Sequence, residues 1–162
     1  MIGLDLSTEP AAPLKLEFDA LAVGKGEKRE VPVWFLAAPT TAVQRSAYAV
    51  ARTVVPGQDE GEGETDYRAR LKHKLAAYGA DQLIQSHMDL SSIVSGLVTA
   101  IALTEMAKAL LVSWDGFGDQ DGQPLEPSPL AIEAAMRHPT IADTFQTWSD
   151  ARLAEIVQEG NG

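Results

Sequence analysis

The 162-residue chain has no cysteine, which excludes a disulfide frame, a zinc–thiolate centre and a thiol nucleophile. Positive charge is scarce as well: 13 Lys and Arg face 23 Asp and Glu, for a net charge of −10. So acidic a surface repels phosphate backbones and argues against nucleic acid as a partner. Long apolar runs are also lacking. The longest uncharged stretch, 90–104, is 15 residues long and is interrupted by Ser91, Ser92, Ser95, Gly96 and Thr99. A membrane crossing takes about 20 apolar residues. The opening MIGLDLSTEPAAP has neither the basic flank nor the apolar core of a secretion signal. These absences lead us to expect a soluble, cytoplasmic protein with no membrane partner. Its 17.3 kDa fits a single domain, 1–162.

The charge that is present is unevenly distributed. Residues 1–55 balance six acids with six bases, 56–66 carry −5, 67–80 carry +4, and the stretch from Ser113 onward holds nine acids against two bases. Such an exterior keeps a protein dispersed while it handles apolar clients.

Leu14, Leu16 and Phe18 alternate with Lys15, Glu17 and Asp19, the pattern of a half-buried strand. Gly24-Lys25-Gly26 makes a turn, and Val31, Val33 and Phe35 share one face of a returning strand, giving a hairpin over 13–37. Pro32 has no amide hydrogen for a ladder, which predicts an edge position for that strand. Trp34 then either covers the helices or flanks an edge open to another chain.

Helices are expected over 40–55, 65–78, 81–113, 128–137 and 140–159, making the fold α+β: an N-terminal β-hairpin followed by a mainly α-helical domain of about five helices. Thr40 or Thr41 caps the first helix, whose stripe is Val43, Ala47, Val50 and Val54, with Arg45 and Arg52 outside it. Residues 56–64 read as an acidic flexible loop. Thr65 is the expected cap of the next helix, whose Tyr67, Leu71, Leu75 and Tyr78 form one face. Residues 81–113 are apolar nearly all round, which predicts a buried central helix, with Asp89 able to cap its second half and Gly96 serving a close helix approach. Part of that apolar girth is alternatively a partner groove. Ser128-Pro129 is a cap followed by a residue with no amide hydrogen to leave unpaired. The last helix carries Ile141, Phe145 and Trp148 on one stripe; it either packs back or awaits a partner.

Chemistry-bearing motifs are few. Placing Gly122 at position 6 of a calcium loop puts Phe117 and Ser128 where acids are needed. His73, His87 and His138 are not spaced as helical metal ligands. No nucleophile elbow, P-loop or dinucleotide fingerprint occurs in the sequence. We therefore expect no enzyme activity, catalytic residue, cofactor or metal.

The stretch 107–129 is the most informative. It runs from an apolar helical segment to Trp114-Asp115-Gly116, then Asp121-Gly122-Gln123-Pro124-Leu125, then Ser128-Pro129. In it Asp121-Gly122 is a strong turn pair, and Trp114 is large enough to plug the joint. This order resembles the C-terminal halves of tail assembly chaperones of long-tailed bacteriophages. The resemblance covers roughly residues 103–152. It implies a protein that binds the tape measure protein in several copies, keeps it soluble and recruits tail tube subunits, in the cytoplasm of the bacterial host. Homo-oligomers are compatible with it. Trp34, Trp114, Phe145 and Trp148 are the candidate partner-binding residues. Two other classes stand beside it: a minor structural tail protein retained in the virion, and a small enzyme or ligand-binding domain.

Overall fold

The computed structural model of the chain describes residues 11–76 and 89–160, with side chains as far as Glu155. The fold is α+β. Strands β1 (Leu14–Glu17), β2 (Val33–Leu36) and β3 (Leu111–Asp115) form one antiparallel sheet in the order β1-β2-β3. Helices α1 (Thr41–Val54), α2 (Glu64–Ala76), α3 (Leu90–Leu110), α4 (Pro129–Met136) and α5 (Pro139–Gly160) complete it. Where the sequence suggests one domain, the chain forms two compact units. The first takes 1–43 and 106–162, and the second takes 44–105.

In the first unit the sheet has a third strand that sequence reading misses. The helix expected to run to residue 113 ends at Leu110, and Leu111–Asp115 pairs with β2, Trp34 lying opposite Trp114. The chain turns from helix to strand without a loop, and the Leu110 carbonyl accepts from Ala37 N–H at 2.8 Å. This also corrects the position of β2, which is the central strand and not an edge. Pro32 precedes the strand, so its missing donor costs the ladder nothing; its carbonyl accepts from Phe18 N–H at 2.9 Å. The hairpin itself is looser than expected. Two short 3-10 turns, Asp19–Leu21 and Gly26–Lys28, and a Val23–Glu30 bridge separate strands of four residues each.

Register explains burial here. Leu16, Trp34 and Leu36 are buried on one face, while Lys15 and Glu17 project from β1 on the other. After β3, Gly116 adopts φ +78, a conformation that favours glycine, and a Cβ there would lie 3.0 Å from Pro32 Cα. The turn beyond is organised by Asp119 rather than Asp121. Its carboxylate accepts from Asp121 N–H and Gln123 N–H, both at 2.9 Å, and Gly122 takes φ +76. Ser128 caps α4 by accepting from Ala131 N–H at 3.2 Å, with Pro129 following as expected. On α4 Leu130 is 73% exposed, while Ala131, Ile132 and Met136 are buried. Along α5, Ile141, Phe145, Ser149 and Leu153 are buried at helical spacing.

In the second unit the α1 stripe is rotated from the expected one: Ala47, Ala51 and Val55 are buried, and Val50 is exposed. Thr40 caps α1 through its Oγ1, which accepts from Val43 N–H at 3.2 Å. Tyr67, Leu71 and Leu75 of α2 are buried as their spacing predicts; Tyr78 lies outside the described residues. Helix α2 begins one residue before the expected cap Thr65, with Tyr67 N–H bonded to the Gly63 carbonyl. The first eight residues of the expected helix 81–113 also lie outside the description.

The acidic segment between α1 and α2 is more tightly held than its composition implies. Arg70 bonds both carboxylate oxygens of Glu62, at 2.9 and 2.5 Å, and donates to the Gly57 carbonyl at 2.8 Å. Its guanidinium lies 5.4 Å from the centre of the Tyr67 ring and 3.4 Å from Asp59. A bidentate guanidinium–carboxylate pair fixes geometry in a way one surface ion pair does not.

Candidate functional site

Two arrangements bear on function, one in each unit. In the first unit the structure brings all four sequence-predicted partner residues into one aromatic cluster. Trp34 lies 5.7 Å from Phe145 and 6.3 Å from Trp114, and Phe145 stacks on Trp148 at 5.9 Å. Phe18 meets Trp34 edge-on at 5.3 Å, and Phe117 stacks on Trp114 at 5.0 Å. Such edge and offset contacts stabilise a core beyond the area they bury. Trp34 and Phe145 have no exposure at all, so they support the sheet from within and offer nothing to a partner. Trp114 and Trp148 are half-buried. The Trp114 indole donates to the Leu125 carbonyl, closing the turn onto β3, whereas the buried indole N–H groups of Trp34 and Trp148 have no acceptor among the described residues.

The second unit holds an open groove of about 470 Å³ between α1 and α3. Tyr48 and Arg52 line it from α1, four apart on one helix face, and Val55 lines it just past the helix end. Val94 and Val98 line it from α3, and the hydroxyl residues Ser91, Ser95 and Thr99 recur beside them every fourth position. Gly57, held through its carbonyl by Arg70, completes the wall.

This groove exists because α3 is unevenly covered. Among the described residues it is the one helix with the length and apolar composition to cross a membrane, yet only 39% of its most apolar window is buried. Burial concentrates at its C-terminal end, where Ile101, Ala102, Leu103, Met106, Ala107 and Leu110 are enclosed. Ile93, Val94 and Val98 remain partly open. The expected buried central helix is thus half right. Among the described residues nothing lies within 4 Å of where a Cβ on Gly96 would stand, so no described helix makes the expected close approach there.

Electrostatics reinforce the helix ends. Asp89 caps α3, accepting from the Ser91 and Ser92 hydroxyls at 2.7 Å each and from their backbone N–H groups at 3.3 and 3.1 Å. The Ser92 and Ser91 hydroxyl bonds, followed by the backbone ones, lower its pKa from the ordinary aspartate range to about 2. Glu62 is likewise held below the usual carboxylate range, first by the Arg70 hydrogen bonds and then by Asp59 N–H. Burial pushes the Tyr67 hydroxyl up.

Sequence reasoning raised a groove on α3 as an alternative but did not name its α1 wall. The usable signal was Tyr48 and Arg52 four apart, beside Val55. Among the described residues no group of three or more His, Asp or Glu side chains is placed to hold a metal ion. What the groove can do chemically is accept apolar side chains along its valines and a charged or hydrogen-bonding group at Arg52 and the hydroxyls. The chain matches no protein-family model, no curated protein and no solved structure.

Proposed function

We propose that this protein is a tail assembly chaperone of a long-tailed bacteriophage. In the cytoplasm of the bacterial host it would hold the tape measure protein in solution and bring it to tail tube subunits. The observation that carries the binding part is the groove. An apolar helix leaves Val94 and Val98 partly uncovered opposite Tyr48, which suits a surface that receives another chain's apolar side chains. The phage part rests on the resemblance of the Trp114-Asp115-Gly116, 121–125 and Ser128-Pro129 pattern. A net charge of −10 supports the same reading, since it disperses a complex that carries apolar surface.

Co-expression with the adjacent tape measure gene tests it. The client is expected in the soluble fraction with the wild-type chain. It should return to the pellet with a Val94→Asp, Val98→Asp double variant, which places charge in the groove and leaves the buried positions alone. A client equally insoluble with and without the wild-type chain would overturn the proposal.

A further inference from the structure

The groove has a charge character opposite to that of the protein around it. Arg52 is exposed and makes no hydrogen bond or ion pair among the described residues. The described residues lining the groove include no acid. Of the nearest carboxylates along the chain, Asp89 is engaged by Ser91 and Ser92, and Asp59 and Glu62 by Arg70, while Glu60 is exposed on the same loop and does not line the groove. A guanidinium with no partner among the described residues, beside two valines and a tyrosine, is therefore the charge that an incoming group meets, although the whole chain carries −10.

We infer that the groove takes an amphipathic helix whose aliphatic stripe lies along Val94 and Val98 and whose flank carries a carboxylate for Arg52. The argument for this occupant is charge complementarity. Apolar side chains fit the valines, and a carboxylate is the group a guanidinium pairs with bidentately. Dimensions agree, since Ser91 to Thr99 spans about 12 Å of α3 at 1.5 Å per residue, roughly two helical turns of a partner. The hydroxyls of Ser91 and Ser95 supply the polar rim that such a docking groove carries. This inference rests on reading the groove as a protein-docking site, and it adds the chemistry of the segment bound.

The test uses the full-length protein and two fluorescein-labelled peptides of about 18 residues, long enough to be partly helical on their own. They share a leucine–valine stripe and differ only in carrying glutamates or lysines along its flank. Net charge alone favours the lysine peptide, whereas Arg52 favours the glutamate one. Fluorescence anisotropy is expected to give about tenfold tighter binding of the glutamate peptide. Arg52→Glu should reverse that order, and Val98→Asp should weaken both peptides. Preference for the lysine peptide in the wild-type protein would overturn the inference, as would binding of neither peptide, or an order that Arg52→Glu leaves unchanged. Displacement of an environment-sensitive dye by sodium decanoate, with no peptide bound, would make this a small-ligand site and equally overturn it. The two failures are separable. Peptides that bind beside an insoluble tape measure protein count against the chaperone reading alone. A solubilised client with no peptide preference counts against the helix–carboxylate assignment alone.

Discussion

The two compact units treat apolar side chains in opposite ways. In the first, Phe18, Trp114 and Phe145 converge on Trp34 from three other parts of the chain, and Trp34 and Phe145 have no exposure. In the second, an apolar helix leaves valines in reach of solvent beside an arginine that has no partner among the described residues. The difference teaches that apolarity specifies what a side chain prefers, while the neighbouring element decides whether that preference is met. A sheet face plus α5 encloses Trp34, whereas the α3 wall facing α1 stays partly open. On this view the first unit is scaffold and the second is surface for use.

Four substitutions sharpen or break that contrast, beginning with the largest effect. Trp34→Ala is expected to cost about 3–5 kcal/mol in denaturant unfolding, as truncation of a fully enclosed aromatic does. A loss below roughly 1 kcal/mol would contradict a scaffold centred on Trp34. Gly116→Ala is next. A positive φ and a 3.0 Å approach to Pro32 Cα predict destabilisation of roughly 1–2 kcal/mol or more. Gly96→Ala is expected to act in the other direction, stabilising by about 1 kcal/mol because the new methyl meets nothing and the helix gains propensity. A destabilised Gly96→Ala would mean that a close neighbour covers α3 there, and the open groove would be lost with it.

The smallest effect concerns pH. Glu62 and Asp89 have carboxylate pKa values lowered by their hydrogen bonds, Asp89 to about 2. Groups with depressed folded-state values contribute stability that is present above the unfolded carboxylate range and is lost as pH falls through the folded values. The thermal midpoint should therefore decline as pH drops from about 5 toward 2. Asp89→Asn, which lacks the charge, should flatten the lower part of that decline. An unchanged profile in Asp89→Asn would remove the ionised cap from the account.

How far the sequence can be read follows the range of the interactions involved. Thr40, Asp89 and Ser128 were legible as caps because a cap bonds amides two or three residues away. Tyr67, Leu71 and Leu75 were legible because one helix face is a local property. Strand 111–115 was not, because Leu-Val-Ser-Trp-Asp becomes a strand only when β2 offers its ladder, and a short apolar run after a helix reads as more helix. The central position of β2 was missed for the same reason. For Trp34 the residues alone leave two positions open, covering the helices or flanking an edge, since its burial depends on β1, β3 and α5 together. The groove was half legible: a helix apolar all round does not say which side stays open, and an arginine off the apolar stripe looks like ordinary surface.

Hydrogen exchange on the full chain, alone and with the tape measure protein, tests the division between scaffold and working surface most directly. New protection is expected over 48–57 and 91–99, the two walls of the groove, with exchange at 33–36 and 141–149 unchanged. Protection gained around Trp114 and Trp148 with none along 91–99 would contradict it.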